Sequence, residues 1–260
     1  MKPTKKIIKL IRNFSIDTLL FIKKSIGIQT SIIKLPTGQL FSIRNNDIIG
    51  IAIYKNSQFE QKTREAILAQ IHSGMTVLDI GANIGYHTLQ ISQVIGEKGH
   101  LIAFEPNPTM VEQLETNIHL NKLNNVTVES IALSDTKGVA EFCLPKSGRE
   151  SHGSLMPNDT FETIEHITVK TDQLDDTLAK LNITKVDFIK LDAEGAEMLI
   201  FKGAKKLLSG TNKPVIIFEC AENLCLPFKH AVFDVLVFLN SFDYSLKQID
   251  YGMWLATPSS

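Results

Sequence analysis

Residues 77–85 read Val-Leu-Asp-Ile-Gly-Ala-Asn-Ile-Gly, and the fold prediction depends most on these residues. An apolar run containing the acid Asp79 leads into a turn between Gly81 and Gly85, and helical periodicity begins at Tyr86. Glycine allows a backbone with positive φ and the close approach of a ligand. The pattern therefore indicates a strand, a ligand-binding turn and a helix, in that order.

The spacing of the glycines restricts the kind of ligand. It is Gly-x-x-x-Gly, whereas dinucleotide-binding folds carry Gly-x-Gly-x-x-Gly. A pyrophosphate is anionic and would be repelled by Asp79, which suits a ligand with a cationic ammonium group instead. A second acid, Glu105, ends the next predicted strand, where it can bind both hydroxyls of a ribose. Together the two acids predict an adenosyl ligand without phosphates.

The sequence from Thr76 onward alternates between strand and helix patterns, which implies parallel βαβ units with right-handed crossovers. A polar segment, Leu144 to Thr163, interrupts this alternation and predicts a long surface loop. The last two strand-like pieces predict an antiparallel hairpin. The predicted strands are 76–80, 100–104, 126–130, 186–191, 214–219, 244–248 and 253–256, and the predicted helices are 60–72, 86–95, 109–120, 196–208 and 228–239.

The first 34 residues differ in charge from the rest of the chain. They hold eight basic residues and one acid, although the whole chain has 27 basic and 28 acidic side chains. Apolar residues at helical spacing predict a basic amphipathic helix that ends near Lys24. Two hypotheses for this helix stay open: it caps the catalytic domain, or it contacts an anionic membrane surface or an acidic substrate.

A pair of strands, 39–44 and 48–54, is predicted after this helix, on either side of an Asn-Asn-Asp turn. We therefore expect an N-terminal extension over residues 1–60 and a catalytic domain over residues 61–260. Three cysteines are too few for a disulfide framework, and charges interrupt the N-terminal apolar residues. These features favour a cytoplasmic protein without a signal peptide.

Four motifs, in order along the chain, resemble the FkbM-type S-adenosylmethionine-dependent methyltransferases. The resemblance runs from about residue 51 to about residue 208, and it implies S-adenosyl-L-methionine as the cofactor. It also implies a class I methyltransferase fold, which is a Rossmann-like α/β fold with a seven-stranded, mostly parallel sheet whose last strand is antiparallel. The motifs are Asp79-x-Gly-Ala-Asn-x-Gly85, Phe104-Glu-Pro-Asn107, Ile131-Ala-Leu-Ser134 and Ile189-Lys-Leu-Asp192-Ala-Glu-Gly-Ala-Glu197.

The resemblance also implies which residues contact the cofactor. The methionine portion would be surrounded by Asp79, Gly81, Asn83 and Gly85. Glu105 would bind the ribose, and Ile131 and Ala132 would lie beside the adenine. Tyr86 and Asn107 would be further contacts, and Glu60 matches an acid found just before the domain.

Three acids at strand ends are candidates for catalysis: Asp192, Glu194 and Glu219. Ligands of open α/β sheets bind at the carboxyl ends of the strands, so Asp192 is expected beside both the cofactor and the acceptor. Asp192 or Glu194 would take the proton of an acceptor hydroxyl or hold a sugar hydroxyl in place. Glu197 is expected to stabilise a helix N-terminus. No further metal signature accompanies these acids, so no metal site is predicted.

The leading hypothesis is an O-methyltransferase that acts on a hydroxyl of a small molecule or glycan. Enzymes that methylate amino groups of nucleic-acid bases typically carry Asp/Asn-Pro-Pro-aromatic at this position, and 191–194 reads Leu-Asp-Ala-Glu. A nucleic-acid substrate is therefore not expected. The alternatives are a nicotinamide-dependent oxidoreductase and a non-catalytic, methyltransferase-like binding module. His87 and His152 are the histidines expected nearest to the site.

Overall fold

The computed structural model describes residues 5–56, 59–145, 152–157 and 164–259. The first elements are α1 (Lys5–Ser25), β1 (Thr30–Lys34), β2 (Leu40–Arg44), α2 (Ile48–Lys55) and α3 (Gln61–Gln70). They are followed by β3 (Thr76–Ile80), α4 (Tyr86–Ile95), β4 (His100–Phe104), α5 (Pro108–Leu120), β5 (Val126–Glu129) and β6 (Ala132–Leu133). Next come β7 (Gly138–Pro145), β8 (Ile164–Asp172), α6 (Leu174–Lys180), β9 (Phe188–Leu191), α7 (Glu197–Lys202) and α8 (Lys205–Ser209). The last are β10 (Val215–Glu219), α9 (Glu222–Cys225), a short 3-10 turn (Leu226–Phe228), α10 (Val232–Asn240), β11 (Tyr244–Asp250) and β12 (Met253–Pro258).

Seven strands form one sheet in the order β5-β4-β3-β9-β10-β12-β11. The pairs among β5, β4, β3, β9 and β10 are parallel, whereas β12 runs antiparallel to both of its neighbours. Alternate residues of β3 pack on opposite faces: Leu78 and Ile80 belong to one buried cluster and Val77 belongs to another. A sheet covered on both faces needs such continuously apolar strands. The predicted fold, with its antiparallel last strand, is confirmed.

The N-terminal hairpin uses different residues from those predicted. β2 pairs with β1, and residues 48–55 form helix α2, so the predicted strand 48–54 is wrong. The Asp47 carboxylate accepts the Gly50 N–H at 2.6 Å and caps the helix. Gly50 also lies so close to Ile43 that a Cβ would be 2.9 Å from the Ile43 Cβ. The isoleucines of this segment favour a strand, but capping and packing override that preference.

The segment around the predicted long loop contains two strands that the sequence did not predict. β7 and β8 pair antiparallel from Gly138 with Thr171 to Pro145 with Ile164, and β6 joins them in a three-stranded sheet. The tip of the predicted loop falls largely outside the described residues. The predicted helix 196–208 is two helices, α7 and α8. Between them, Gly203 caps α7, and a Cβ there would lie 2.2 Å from the Ser134 carbonyl oxygen.

Helix α1 rests on the rest of the molecule through part of its surface. Ile16 and Leu20 are buried, and Asp17 forms an ion pair with Lys55 of α2. Among the described residues, none of the helices combines the length and the apolar character needed to cross a membrane.

Candidate active site

A cavity of 890 Å³ opens at the carboxyl ends of β3, β4, β9 and β10. Ligand pockets typically measure about 300–1,000 Å³, so this one lies near the upper end of the range. The ends of the parallel strands form its floor, and residues of α2 and of the β7–β8 arm form its walls. The β7–β8 arm consists of these two strands and the described residues 152–157 between them. The wall residues include Ile48, Ile49 and Ala52 of α2, and Phe142, His152, Gly153 and Leu155 of the β7–β8 arm.

The turn after β3 has the backbone shape that its glycines predict. Gly81, Asn83 and Gly85 all have positive φ, at 73°, 52° and 90°. A Cβ on Gly81 would lie 1.8 Å from the carbonyl oxygen of Asp192, so only glycine fits there. Gly81 and Asn83 line the cavity. Gly85 instead packs closely against Leu114, where a Cβ would be 2.7 Å from its Cδ1.

Glu105 stands on the cavity wall with its carboxylate held by main chain. One oxygen accepts the Asn83 N–H and the other accepts the Asn107 N–H, each at 2.9 Å. Burial raises the pKa of Glu105 to about 7. The Asn107 side chain is occupied at the start of α5, where it accepts the Thr109 N–H. Because a carboxylate has about four acceptor positions, Glu105 keeps capacity to accept the hydroxyls of a ribose.

The structure places Asp79 beneath the turn. Its side chain is fully buried, with one oxygen accepting the Thr88 hydroxyl at 2.6 Å and the other 3.4 Å from the Lys190 Nζ. The sequence suggested a direct contact between Asp79 and a cationic ligand group. In this arrangement Asp79 acts on the site through Thr88 and Lys190.

Lys190 is a site residue that the sequence analysis quoted but did not assign. Its side chain lines the cavity floor, and its Nζ donates to the Gly81 carbonyl at 2.9 Å. Burial by itself would lower the pKa of Lys190, but the charges of Asp192 and Asp79 raise it above its ordinary value. The available signal was a lysine inside the otherwise apolar, fully buried strand β9. A buried lysine implies partners of opposite charge.

The three predicted catalytic acids line the same cavity. Burial would raise the pKa of Asp192, but Lys190 and a hydrogen bond with Glu219 lower it below its usual range. The charge of Asp192, together with burial, raises the pKa of Glu219 to about 10. Burial and the same charge raise the pKa of Glu194 to about 8. At neutral pH Asp192 therefore favours its ionised form, and Glu194 and Glu219 favour their protonated forms.

The loop that carries Asp192 and Glu194 is held from two sides. The buried carboxylate of Glu197 accepts the N–H groups of Ala193 and Gly195, and burial raises its pKa to about 7. Glu197 thus serves the start of α7, as expected for an acid at a helix N-terminus. On the other side, the Ser154 hydroxyl donates to the Glu194 carbonyl at 2.9 Å, so the β7–β8 arm is attached to the loop.

Residues from the start of α3 and α4 form the remaining wall. Glu60 approaches His87, with 2.8 Å between the carboxylate and Nε2, and both side chains line the cavity. The Tyr86 hydroxyl donates to the Phe59 carbonyl at 3.1 Å. The predicted adenine neighbours, Ile131 and Ala132, also line the cavity. Among residues 5–56, 59–145, 152–157 and 164–259, no cluster of three or more His, Cys, Asp or Glu side chains suits a metal ion.

The donors and acceptors of this cavity fit S-adenosyl-L-methionine. Glu105 offers carboxylate oxygens for a ribose, and the main chain of Gly81 and Asn83 lines the cavity beside it. The ionised Asp192 suits the positive charges of the sulfonium and ammonium groups. Apolar side chains at 131–133 suit an adenine ring.

Comparison with known proteins agrees with this fit. The model of the Methyltransferase FkbM domain matches residues 79–246. The 2-O-methyltransferase NoeI of Sinorhizobium fredii is 27% identical over 147 residues, which cover 52% of this chain and 59% of that protein. The hexuronic acid methyltransferase AglP of Haloferax volcanii is 25% identical over 159 residues, which cover 60% of this chain and 61% of that protein. The matches thus span about three fifths of the length of each relative.

Solved structures give weaker likenesses. Fibrillarin of Aeropyrum pernix with bound S-adenosyl-L-methionine has a TM-score of 0.46 at 10% identity, over 88% of this chain and 93% of that chain. A methyltransferase from Aquifex aeolicus has a TM-score of 0.43 at 19% identity, over 74% of this chain and 87% of that chain. The family match therefore comes from the sequence comparison.

Proposed function

Because the chain belongs to the FkbM methyltransferase family and depends on S-adenosyl-L-methionine, we propose that it methylates a hydroxyl group on a small molecule or a sugar. The observation that carries this proposal is the position of Asp192, which lines the cavity with Glu194 and Glu219 and has the Lys190 ammonium 3.5 Å from one of its oxygens. A hydroxyl must lose its proton during methylation, and Asp192 is the base that the cavity offers. The names of the relatives NoeI and AglP support an oxygen acceptor and a sugar acid, respectively.

Glu105 and the Gly81 turn would hold S-adenosyl-L-methionine, which when bound would supply a sulfonium methyl group whose carbon–sulfur bond breaks as the carbon–oxygen bond forms, with a thioether as the leaving group. Glu105 and the Gly81 turn hold the adenosyl end, and Ile131 and Ala132 flank its base. Asp192 accepts the proton of the acceptor hydroxyl as the new carbon–oxygen bond forms. Glu219 donates its proton in a hydrogen bond to Asp192 and keeps that carboxylate oriented. Most of the rate enhancement then comes from positioning.

The candidate residues divide into an acceptor side and a cofactor side of the cavity. Asp192, Glu194 and Glu219 serve the reacting hydroxyl. Asp79 and Gly85 support the turn from below, and Glu60, Asn83, Tyr86 and Asn107 complete the cofactor side. Three buried free thiols support a reducing compartment, so we propose that the protein acts in the cytoplasm.

The test of this function begins with titration calorimetry. We expect S-adenosyl-L-methionine to bind, and Glu105→Ala to weaken binding by at least about tenfold, because two charge-assisted hydrogen bonds to the ribose are lost. Methyl transfer from labelled cofactor is then measured on a panel of neutral, amino and uronic methyl glycosides. Lys213→Met, far from the cavity, is the control. Binding without transfer to any hydroxyl acceptor, with transfer to an amine or thiol instead, would contradict the proposal.

We also propose that α1 attaches the protein loosely to an anionic membrane surface. Ile16 and Leu20 face the protein, but Phe21, Ile22 and Ile26 are 73%, 51% and 68% exposed. Ile26 directly follows the end of α1, and its N–H donates to the Ile22 carbonyl at 3.1 Å, so Ile22 and Ile26 are neighbours. The net positive charge of residues 1–34 complements anionic lipid head groups. Apolar side chains of this kind bury in the interface between head groups and acyl chains.

Vesicle sedimentation of the full chain tests this attachment. We expect binding to vesicles of phosphatidylcholine with phosphatidylglycerol, and release as the salt concentration rises. A variant with Phe21→Ser, Ile22→Ser and Ile26→Ser should bind at least about fivefold less, because the buried apolar area is lost. Phe233→Ser, at a residue of α10 that is 71% exposed, is the matched control. Equal binding of both variants would overturn the proposal.

A further inference from the structure

Lys190 joins three segments that are far apart in the sequence. Its ammonium donates to the carbonyl of Gly81 at 2.9 Å, and it lies 3.4 Å from an Asp79 oxygen and 3.5 Å from an Asp192 oxygen. The ammonium thus donates one hydrogen bond to main chain and forms ion pairs with two carboxylates. Lys190 is therefore occupied by protein groups, although its side chain lines the cavity.

The surroundings of Lys190 are acidic from every side. Asp79 reaches it from β3 and Asp192 from the end of β9, while Glu60, Glu105 and Glu194 interact with it from a greater distance. Only 4% of the Lys190 side chain is exposed, against 31% for Asp192. Removal of this single cation would leave the Asp192 carboxylate without the ammonium that lies 3.5 Å from it. A carboxylate in that situation takes up a proton more readily.

We propose that Lys190 is a positioning residue that supplies the opposite charge beside Asp192 and fixes Asp192 relative to the cofactor turn. This inference rests on the proposed function of Asp192. The same ammonium fixes the Gly81 carbonyl, so the turn and the base are set by one group. The distance between the methyl donor and the Asp192 carboxylate would then stay constant.

The experiment measures the Kd of S-adenosyl-L-methionine by calorimetry between pH 5.5 and 8.5, for the wild-type chain and for Lys190→Met. Without Lys190, Asp192 should be protonated at the lower pH and should lose its attraction for the cationic cofactor. The ratio of the variant Kd to the wild-type Kd should therefore fall at least about fivefold as pH rises. A purely structural role would give the same ratio at every pH.

Two further variants separate charge from folding. Lys190→Arg keeps the positive charge, so its Kd ratio should be independent of pH. In an Asp192→Asn background, Lys190→Met should lose most of its pH-dependent effect, because the carboxylate that lies 3.5 Å from the ammonium is gone and Glu105 and Glu194 interact with Lys190 only from a greater distance. Lys190→Gln replaces Lys190→Met if thermal unfolding shows that the latter does not fold. Lys213→Met is the matched control, because Lys213 also donates to a carbonyl and lies near a carboxylate, Asp243.

The outcomes are distinct. A ratio that falls at least about fivefold with pH when Asp192 is present, but less than about twofold in the Asp192→Asn background, supports the inference. A constant ratio in both backgrounds overturns it while leaving cofactor binding intact. Failure of the wild type to bind the cofactor would contradict the proposed function itself.

Discussion

The two halves of the cavity depend on different kinds of interaction. The turn half, consisting of 81–85 and Glu105, is shaped by main chain: positive φ angles, close contacts and N–H groups that hold one carboxylate. The acid half, consisting of Asp192, Glu194 and Glu219, is shaped by charges that set one another's protonation. The turn half should therefore respond to steric changes, and the acid half to changes of charge that alter no volume.

Among the variants proposed here, Gly81→Ala in the turn half should change cofactor binding most. The added Cβ would collide with the Asp192 carbonyl oxygen, so the turn and the loop must separate. We expect cofactor affinity to fall by more than about 100-fold, which corresponds to about 3 kcal/mol, measured by calorimetry. Gly74→Ala is the control, since Gly74 also has positive φ, 87°, but a Cβ there meets no atom within 4 Å. Gly74→Ala should lower the free energy of unfolding by about 1–2 kcal/mol and leave the cofactor affinity unchanged. Equal cofactor affinities of the two variants would contradict the prediction that the Gly81 collision disrupts binding.

Next in size is the contrast between Asp192→Asn and Glu219→Gln in the acid half. Asp192→Asn removes the proposed base and should lower kcat by about 10²- to 10⁴-fold. Glu219 keeps its proton, so glutamine should replace it with a loss below about fivefold, because an amide also donates to Asp192. Initial rates on the best acceptor of the glycoside panel decide this. Equal losses in both variants would show that the two carboxyl groups share one role.

A smaller effect is expected in the pH dependence of stability. The pKa values of Glu105, Glu194 and Glu219 are raised in the folded protein to about 7, 8 and 10. The folded state then binds more protons than the unfolded state between the ordinary pKa of glutamate and these values. By linkage, the free energy of unfolding falls as pH rises through that window.

Thermal unfolding from pH 5 to pH 9 should show this decline of Tm in the wild type. Glu219→Gln cannot ionise, so its Tm should decline less above pH 8. Glu222→Gln, at an exposed acid of α9, should follow the wild type. Parallel curves for all three proteins would argue against proton retention by Glu219.

The smallest expected effect is that of Ser154→Ala, which breaks the attachment of the β7–β8 arm to the acid half. The lost hydrogen bond to the Glu194 carbonyl should cost about 1 kcal/mol of stability, measured by urea unfolding. KM for the acceptor should rise by more than the cofactor Kd, because Glu194 belongs to the acid half. Ser209→Ala is the control, because Ser209 is an exposed residue of α8 whose hydroxyl also donates to a main-chain carbonyl, that of Lys205.

The difference between the halves also explains how far sequence analysis reaches. The bounds of β3, α4 and β4 were predicted correctly, because glycine spacing and apolar runs are local signals. Helix α2 was predicted as a strand, since its cap and its contact with Ile43 depend on the folded neighbourhood. β7 and β8 were missed because the polar segment between them suggested a loop.

The site itself divides in the same way. The three catalytic candidates were predicted to lie at strand ends, and all three line the cavity. The sequence did not indicate which of them keeps its charge, since that depends on a lysine buried two residues before Asp192. Nor did it show that Asp79 lies beneath the turn, because burial depends on how strands pack.

The insertion of β12 between β10 and β11 has a consequence for how the molecule assembles. Until residues 253–258 are in place, β10 has an open edge, and the main-chain bond from Cys220 to the Gly252 carbonyl is missing. Glu219 lies at that edge. During synthesis the acid half must therefore remain incomplete until β12 has left the ribosome, and β10 is exposed to pairing with other chains for that interval.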